Sequence, residues 1–254
     1  MKFQDLNLMS PLLDAILAEG YEVPSAIQQK AIPVLLEGHD ILASAQTGTG
    51  KTLAFAAPII QALYASKIEQ SKQRVIQALI LAPTRELAEQ IKESFRNYSR
   101  GLGLRTEVIF GGISQKNQEI TLKKGVDILV ATPGRLMDLF AQGFIRLDHV
   151  KYFVLDEADR MLDMGFIHDV KKIVSFIPKD RQTMLFSATV PKEIMSLANS
   201  LLNQPVRIEV AKAYEMVDQI EQSLYFVSKK DKIALLLELL TRPKLVSVLI
   251  FTRT

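Results

Sequence analysis

Residues 45–52 read Ala45-Gln46-Thr47-Gly48-Thr49-Gly50-Lys51-Thr52. A short apolar run, Ile41–Ala43, stands just before them, and a stretch with helical spacing, Leu53–Tyr64, follows. A glycine-rich turn between a strand and a helix is what a phosphate-binding loop requires. Gly48 and Gly50 can adopt backbone angles closed to other residues and let the main chain approach phosphate oxygens. The free amides of the following helix N-terminus then face the anion. In this arrangement Lys51 reaches the β- and γ-phosphates and the Thr52 hydroxyl coordinates magnesium. The usual pattern begins with glycine where this chain has Ala45, a mild departure. A dinucleotide site fits poorly, because the third glycine of G-x-G-x-x-G is absent. No N-K-x-D guanine motif is present either.

Outward from this loop, apolar runs recur at Ala78–Leu81, Val108–Phe110, Ile128–Val130, Phe153–Leu155 and Met184–Phe186. Between them lie helical spacings at Glu86–Tyr98, Ser114–Leu122, Arg135–Phe140, Phe166–Ile177 and Lys192–Leu202. Short buried strands alternating with amphipathic helices predict βαβ units: an α/β fold with a parallel sheet and helices on both faces. Upstream, Ser10-Pro11 opens a helix closed by Gly20, and Ser25 caps a second that ends before Gly38. The polar stretch Ser66–Arg74 reads as a loop.

A second chemical signal sits at Lys151–Asp159, KYFVLDEAD. The apolar strand delivers Asp156 to its C-terminal end, where open α/β sheets bind ligands. Magnesium needs hard oxygen ligands and often keeps waters, which suits Asp156. Glu157 stands next to it and can orient or deprotonate an attacking water. A solvated acidic helix cap is the competing reading, and the upstream phosphate loop outweighs it. Met161, Met164 and Phe166, at helical spacing beside the acids, read as core.

The 254 residues carry 31 Lys+Arg, 28 Asp+Glu, three His and no Cys. The absence of cysteine excludes disulfides, Cys-zinc sites and thiol nucleophiles. His39, His149 and His168 lie far apart and read as surface or cap residues. The net charge of +3 permits nucleic-acid binding without establishing it. No apolar run approaches the roughly 18 residues that span a bilayer, so a cytoplasmic protein is expected, with no membrane partner.

Asp156-Glu157-Ala158-Asp159 spells the motif that names the DEAD-box RNA helicases, and other motifs of that family follow in order. Gly20–Gln28 reads GYEVPSAIQ and resembles the family's adenine-recognising Q motif, with Phe3 as the isolated upstream aromatic. Pro83–Leu87 reads PTREL, Gly111-Gly112 matches the GG pair, Thr132–Arg135 reads TPGR, and Ser187-Ala188-Thr189 reads SAT. Val248–Thr254, VLIFTRT, looks like the start of motif IV. The resemblance runs from Phe3 to the end and is closest in wording to bacterial RhlE-like members. It implies an RNA helicase and ATP hydrolase built on a RecA-like P-loop NTPase domain, with ATP and Mg2+ as cofactors.

The resemblance also assigns roles. Phe3, Tyr21, Ser25, Gln28 and the loop Ala45, Gln46, Thr47, Gly48, Thr49, Gly50, Lys51 and Thr52 bind nucleotide. Lys51, Asp156 and Glu157 are catalytic, and Thr52 and Asp156 serve the metal. The Gln28 amide offers one donor and one acceptor, matching adenine N6 and N7, whereas guanine presents two acceptors there. Pro83, Thr84, Arg85, Gly111, Gly112, Thr132, Pro133, Gly134 and Arg135 hold the RNA backbone, which implies largely sequence-independent binding. Asp159, Ser187, Ala188 and Thr189 couple the sites. Ribosome-assembly or RNA-degradation partners stay open, as does a DNA-directed translocase or a non-hydrolytic RNA clamp.

The expected organisation is a Q-motif region at 1–30, a first RecA-like domain at 31–209, a linker at 210–218, and an incomplete second RecA-like domain at 219–254. In that last part a strand Ser223–Val227, a helix Asp231–Leu240 and a strand Val246–Phe251 are predicted. Some 40 residues of this kind cannot hold a core alone. The family's arginines on the γ-phosphate come from the second domain, so this chain is expected to bind nucleotide but to hydrolyse it weakly.

Overall fold

A computed structural model describes residues 1–67, 74–210, 223–241 and 247–252. Residues 1–212 form one compact unit and 213–254 a second. In the first, seven short strands build one sheet: β1 Ile41–Ser44, β2 Ala78–Leu81, β3 Thr106–Ile109, β4 Ile128–Ala131, β5 Tyr152–Leu155, β6 Gln182–Ser187 and β7 Val206–Glu209. Every pairing is parallel, in the order β3-β4-β2-β5-β6-β1-β7. The helices are α1 Ser10–Ala18, α2 Ala26–Leu36, α3 Lys51–Lys67, α4 Arg85–Tyr98, α5 Gln115–Lys123, α6 Pro133–Ala141, α7 Ala158–Asp163, α8 Ile167–Val174 and α9 Lys192–Leu201.

The sheet is covered on both faces, and the strands' period of two explains how. Ala43, Ile80, Val130, Val154 and Phe186 join one core, packed against α1 to α4. Leu42, Leu79, Leu129, Phe153 and Leu185 join the other, packed against α6 to α9. Strands buried on both sides need continuous apolar runs, which is why those runs were visible in the sequence. Helix α3 sits deepest, with Leu53 to Ala57, Ile59 and Ile60 all buried.

The structure departs from the expectations at four places. β7 was not foreseen, because only Ile208 of its four residues is buried and an edge strand needs no apolar run. β3 starts and ends earlier than Val108–Phe110: the Phe110 amide donates to Gln118 Oε1 (3.1 Å) and its carbonyl accepts from Gln118 Nε2 (3.2 Å), which takes Phe110 out of the ladder. α3 extends to Lys67, so Ser66 is helical, and residues 68–73 of the expected loop lie outside the described residues. Among the residues expected in the core beside the acids, Met161 is buried, but Met164 is exposed. Gly165, at φ +79°, ends the short helix α7 there and turns Met164 outward.

In the second unit the helix forms, as α10 Lys232–Leu240. The two flanking strands are corrected: no ladder exists among the described residues 223–228 and 247–252. Phe226 and Phe251 are 94% and 87% exposed, so nothing within this unit buries them. The expected linker 210–218 lies, after Val210, outside the described residues. No helix among the described residues is long and apolar enough to cross a membrane.

Candidate nucleotide and RNA site

Strand order divides the C-terminal edge of the sheet into two halves. β1, β6 and β5 are neighbours, and they end in the 45–52 loop, Ser187–Thr189 and Asp156–Asp159. β2, β4 and β3 are neighbours, and they end in Pro83–Arg85, Thr132–Arg135 and Gly111-Gly112. Motifs scattered over 140 residues of sequence thus become two adjacent clusters.

In the first half, Lys51 Nζ lies 4.0 Å from Asp156 Oδ1, and both side chains are nearly sealed from solvent. Lys51 Nζ also donates to the Ala45 carbonyl (3.2 Å), and Thr49 Oγ1 donates to Gln46 O (2.7 Å), so the loop closes on itself. Burial pushes the Asp156 carboxyl up to about 6, against the pull of the Lys51 ammonium. Its Oδ1 accepts the Glu157 amide at 3.0 Å. Glu157 itself sits in the left-handed region (φ 52°), a conformation that costs a non-glycine residue of the order of 1 kcal/mol. That turn presents its carboxylate to Thr47 Oγ1 (3.3 Å) and to Arg160 (3.3 Å).

Gln28 reaches the same loop from α2. Its Oε1 accepts the Ser25 amide (2.8 Å) and its Nε2 donates to the Gly50 carbonyl (3.1 Å). Each end keeps one free valence, a lone pair and an N–H, so an adenine edge can be read without breaking either bond. Gly50 must be glycine on two grounds: φ is +87°, and a Cβ would lie 2.4 Å from Gln28 Nε2. A cavity of about 360 Å³ runs from Tyr21 and Gln28 past Gly50, Lys51 and Thr52 to Asp156 and Glu157. Hard oxygens at Thr52 and Asp156 inside it fit a magnesium ion.

Two features escaped the sequence. Tyr98, buried at the end of α4, meets the Tyr21 ring edge-on at 6.3 Å, and burial raises its phenol pKa. Gln90 and Ser94 on the same helix stripe also line the cavity. Helical spacing marks that stripe, but only the fold brings it opposite Tyr21. Phe3 requires a correction: its ring is completely buried in the core with Leu6, Leu12 and Ile16, so it has no face to offer a base. An amino-terminal 3₁₀ turn, Phe3–Leu6, drives both apolar side chains inward.

Asp159 links the acids to the end of β6. Its Oδ2 accepts from the Thr189 amide (2.8 Å) and the Thr189 hydroxyl (2.9 Å), and its amide donates to Ser187 Oγ (3.1 Å). Partial burial acts to raise the Asp159 pKa, but these hydrogen bonds prevail and hold it below the usual carboxylate value. Ala188 lies half-buried between them.

In the second half, Thr84 caps α4, accepting the Leu87 amide at 3.3 Å, and leaves Arg85 exposed at the first turn. The Arg85 guanidinium lies over Gly112, 2.9 Å from where a Cβ would stand, and Gly112 has φ +81°. Arg135 Nη2 donates to the Ile113 carbonyl (3.4 Å) and its Nε pairs with Asp138 at 3.7 Å. Its Nη1 is buried without a partner among the described residues. Pro133 and Gly134 form the first turn of α6, after Thr132. The three segments therefore converge on residues 111–113, with two guanidinium groups and two helix N-termini at one edge, an arrangement suited to phosphate oxygens.

Known proteins resemble this chain in sequence and in fold. The "ATP-dependent rRNA helicase RRP3" of Meyerozyma guilliermondii is 45% identical over 254 residues, covering 99% of this chain and 52% of that protein. "RNA helicase CrhR" of Synechocystis sp. is 42% identical, covering 99% of this chain and 50% of that protein. The chain thus spans about half the length of these curated relatives. A crystal structure of a DEAD box protein from the hyperthermophile Methanococcus jannaschii superposes with a TM-score of 0.76 at 39% identity, covering 96% of this chain and 64% of that one. A family model described as DEAD/DEAH box helicase matches residues 25–197. The chain belongs to the DEAD/DEAH box helicase family.

Proposed function

We propose that the protein is an ATP-dependent RNA helicase that couples ATP binding and hydrolysis to local separation of RNA strands in the cytoplasm. The observation that carries this reading is the convergence of Lys51 and Asp156, 4.0 Å apart, in a cavity that also reaches Gln28. Those groups supply a phosphate cation, a metal carboxylate and a base-reading amide, and the second cluster lies beside them on the same sheet edge.

In this reading Gln28 reads adenine, Tyr21 stacks on it, and Ser25 holds the Gln28 amide. Amides of the 46–50 loop and Lys51 Nζ bind the phosphates once Lys51 leaves the Ala45 carbonyl. Thr52 and Asp156 would hold a magnesium ion, which would supply neutralisation of phosphate charge. Glu157 orients the attacking water and accepts its proton. Arg85, Arg135, Gly111, Gly112 and the amides beginning α4 and α6 grip the RNA backbone, largely regardless of sequence. The Asp159–Thr189 and Asp159–Ser187 bonds tie the water-orienting segment to β6. Residues 219–254 are the beginning of a second RecA-like domain, and placement among RhlE-like members rests on the wording of the motifs.

The test is ATP hydrolysis by the complete protein, with RNA, with DNA of the same sequence, and with neither. RNA-stimulated turnover that Glu157→Gln lowers by about 10²–10⁴ is expected. Equal stimulation by DNA would favour a DNA-directed translocase, and full function of the Glu157→Gln protein would favour a non-hydrolytic clamp.

A further inference from the structure

At the opposite, N-terminal edge of the sheet, α8 and α9 end side by side, Arg181 leads into β6, and Asn203 approaches β7. Between them lies a groove of about 640 Å³. Lys171, Lys179 and Arg181 line it, with the hydroxyls of Ser175, Ser196 and Ser200, and no carboxylate lines it. Among the described residues none of the three cations has an ion-pair partner, and here they face one groove together. Asp40 acts on Arg181 through space, but both its oxygens are taken by the amides of Thr183 and Asn203, each at 2.7 Å.

Arg181 is held in place before any ligand arrives. Its guanidinium lies 5.9 Å from the Phe153 ring centroid and Nη1 donates to the Pro178 carbonyl at 2.5 Å. Its Nε is buried with no hydrogen-bond partner among the described residues. A buried unpaired donor of this kind costs roughly 1–3 kcal/mol, and the groove is reached by the other guanidinium nitrogens of Arg181. Cations complementing the C-terminus of α8 are the competing reading. That reading covers Lys171, in the last turn of α8. It does not cover Lys179 or Arg181, which lie beyond the helix.

We infer that this groove is a second binding site for the phosphodiester backbone of single-stranded RNA, separate from the cluster at the C-terminal edge. Three cations without ion-pair partners match non-bridging phosphate oxygens, and the Ser196 hydroxyl and the Asn203 side-chain amide supply uncharged donors beside them. Val174, Leu201 and Leu202 give an apolar wall for ribose. The inference rests on the RNA-binding reading of this protein. A strand held at both edges would anchor the enzyme beside the duplex it opens.

Lys171 and Lys179 are exposed, so a Lys171→Ala/Lys179→Ala double variant leaves the core untouched. Fluorescence anisotropy is measured over a salt series on the 254-residue chain, with RNA of roughly 30 nucleotides and of roughly 8. For the long RNA the double variant should lose several-fold in affinity at low salt. The slope of log K against log salt should fall by about 1.4, two single-strand phosphate contacts at roughly 0.7 each. The Lys171→Arg/Lys179→Arg protein should restore the slope. Arg85→Ala in the otherwise unaltered chain tests the C-terminal edge separately, through its effect on the short RNA. An unchanged slope for the double variant, while Arg85→Ala still weakens the short RNA, would overturn the second site alone. Failure of the Lys171→Arg/Lys179→Arg protein to restore the long-RNA slope would overturn it too. A polyglutamate peptide is titrated in the same way, and loss of its binding in the double variant with RNA binding intact would overturn the RNA site in favour of a protein partner.

Discussion

Asp156 shows how one residue's surroundings set a measurable property. Its carboxyl is pushed from an ordinary 3.8 up to about 6 by burial, so folding favours the protonated form. The associated stability is complete below pH 4 and is lost as pH rises through 6. Without nucleotide or metal, the unfolding free energy of the wild type should therefore fall by roughly 1–3 kcal/mol relative to Asp156→Asn between pH 4 and pH 7, measured by urea denaturation. A difference that stays flat with pH would remove burial as the governing influence. Gly50 gives a second residue-scale test. Gly50→Ala meets both a positive φ and the Gln28 amide, so ATP affinity should drop at least tenfold by calorimetry. Gly48→Ala also has a positive φ but no heavy atom within 4 Å of the added carbon, and should lose less.

The amino-terminal turn and α4 are legible only as elements. Phe3 fills the space under α1 and α2 and contributes no ring to the nucleotide cavity. Phe3→Ala should thus cost about 3–5 kcal/mol of stability in a thermal melt. In protein that remains folded, ATP affinity should stay within about twofold. A selective loss of ATP binding would restore the nucleotide-binding role. The Q-motif wording pointed to a base contact because the resemblance carried the aromatic by position, whereas burial depends on how a short turn folds back. For α4, helical spacing was plain over Glu86–Tyr98, but the stripe that closes the nucleotide cavity faces Tyr21, 77 residues away from Tyr98. No local pattern encodes that pairing.

For the whole molecule, the contrast between the two units sets the expectation. The first buries two cores on either side of seven strands. In the second, Leu224, Phe226, Leu249 and Phe251 are each at least 78% exposed. Amide hydrogen exchange should be slow in β1, β2 and β5 and fast throughout 223–228 and 247–252 in a dilute solution of this chain. Strong protection in those two segments would contradict the exposed arrangement. The same polypeptide should bind adenine nucleotide yet turn it over slowly, and vigorous RNA-stimulated hydrolysis by these 254 residues would refute that.

What the sequence determined by itself was whatever local chemistry can write: buried strands as apolar runs, a phosphate turn between strand and helix, and acids at a strand end. These need only neighbours along the chain, since backbone angles, helix amides and period-two burial are local properties. The edge strand β7, the inward turn of Phe3 and the absence of a ladder among the described residues 223–228 and 247–252 were decided by tertiary structure, because burial and pairing depend on what lies across space. The division of the sheet edge into two halves belongs to the same class. Strand order alone sets Lys51 beside Asp156 and Arg85 beside Gly112, and no run of residues states that order.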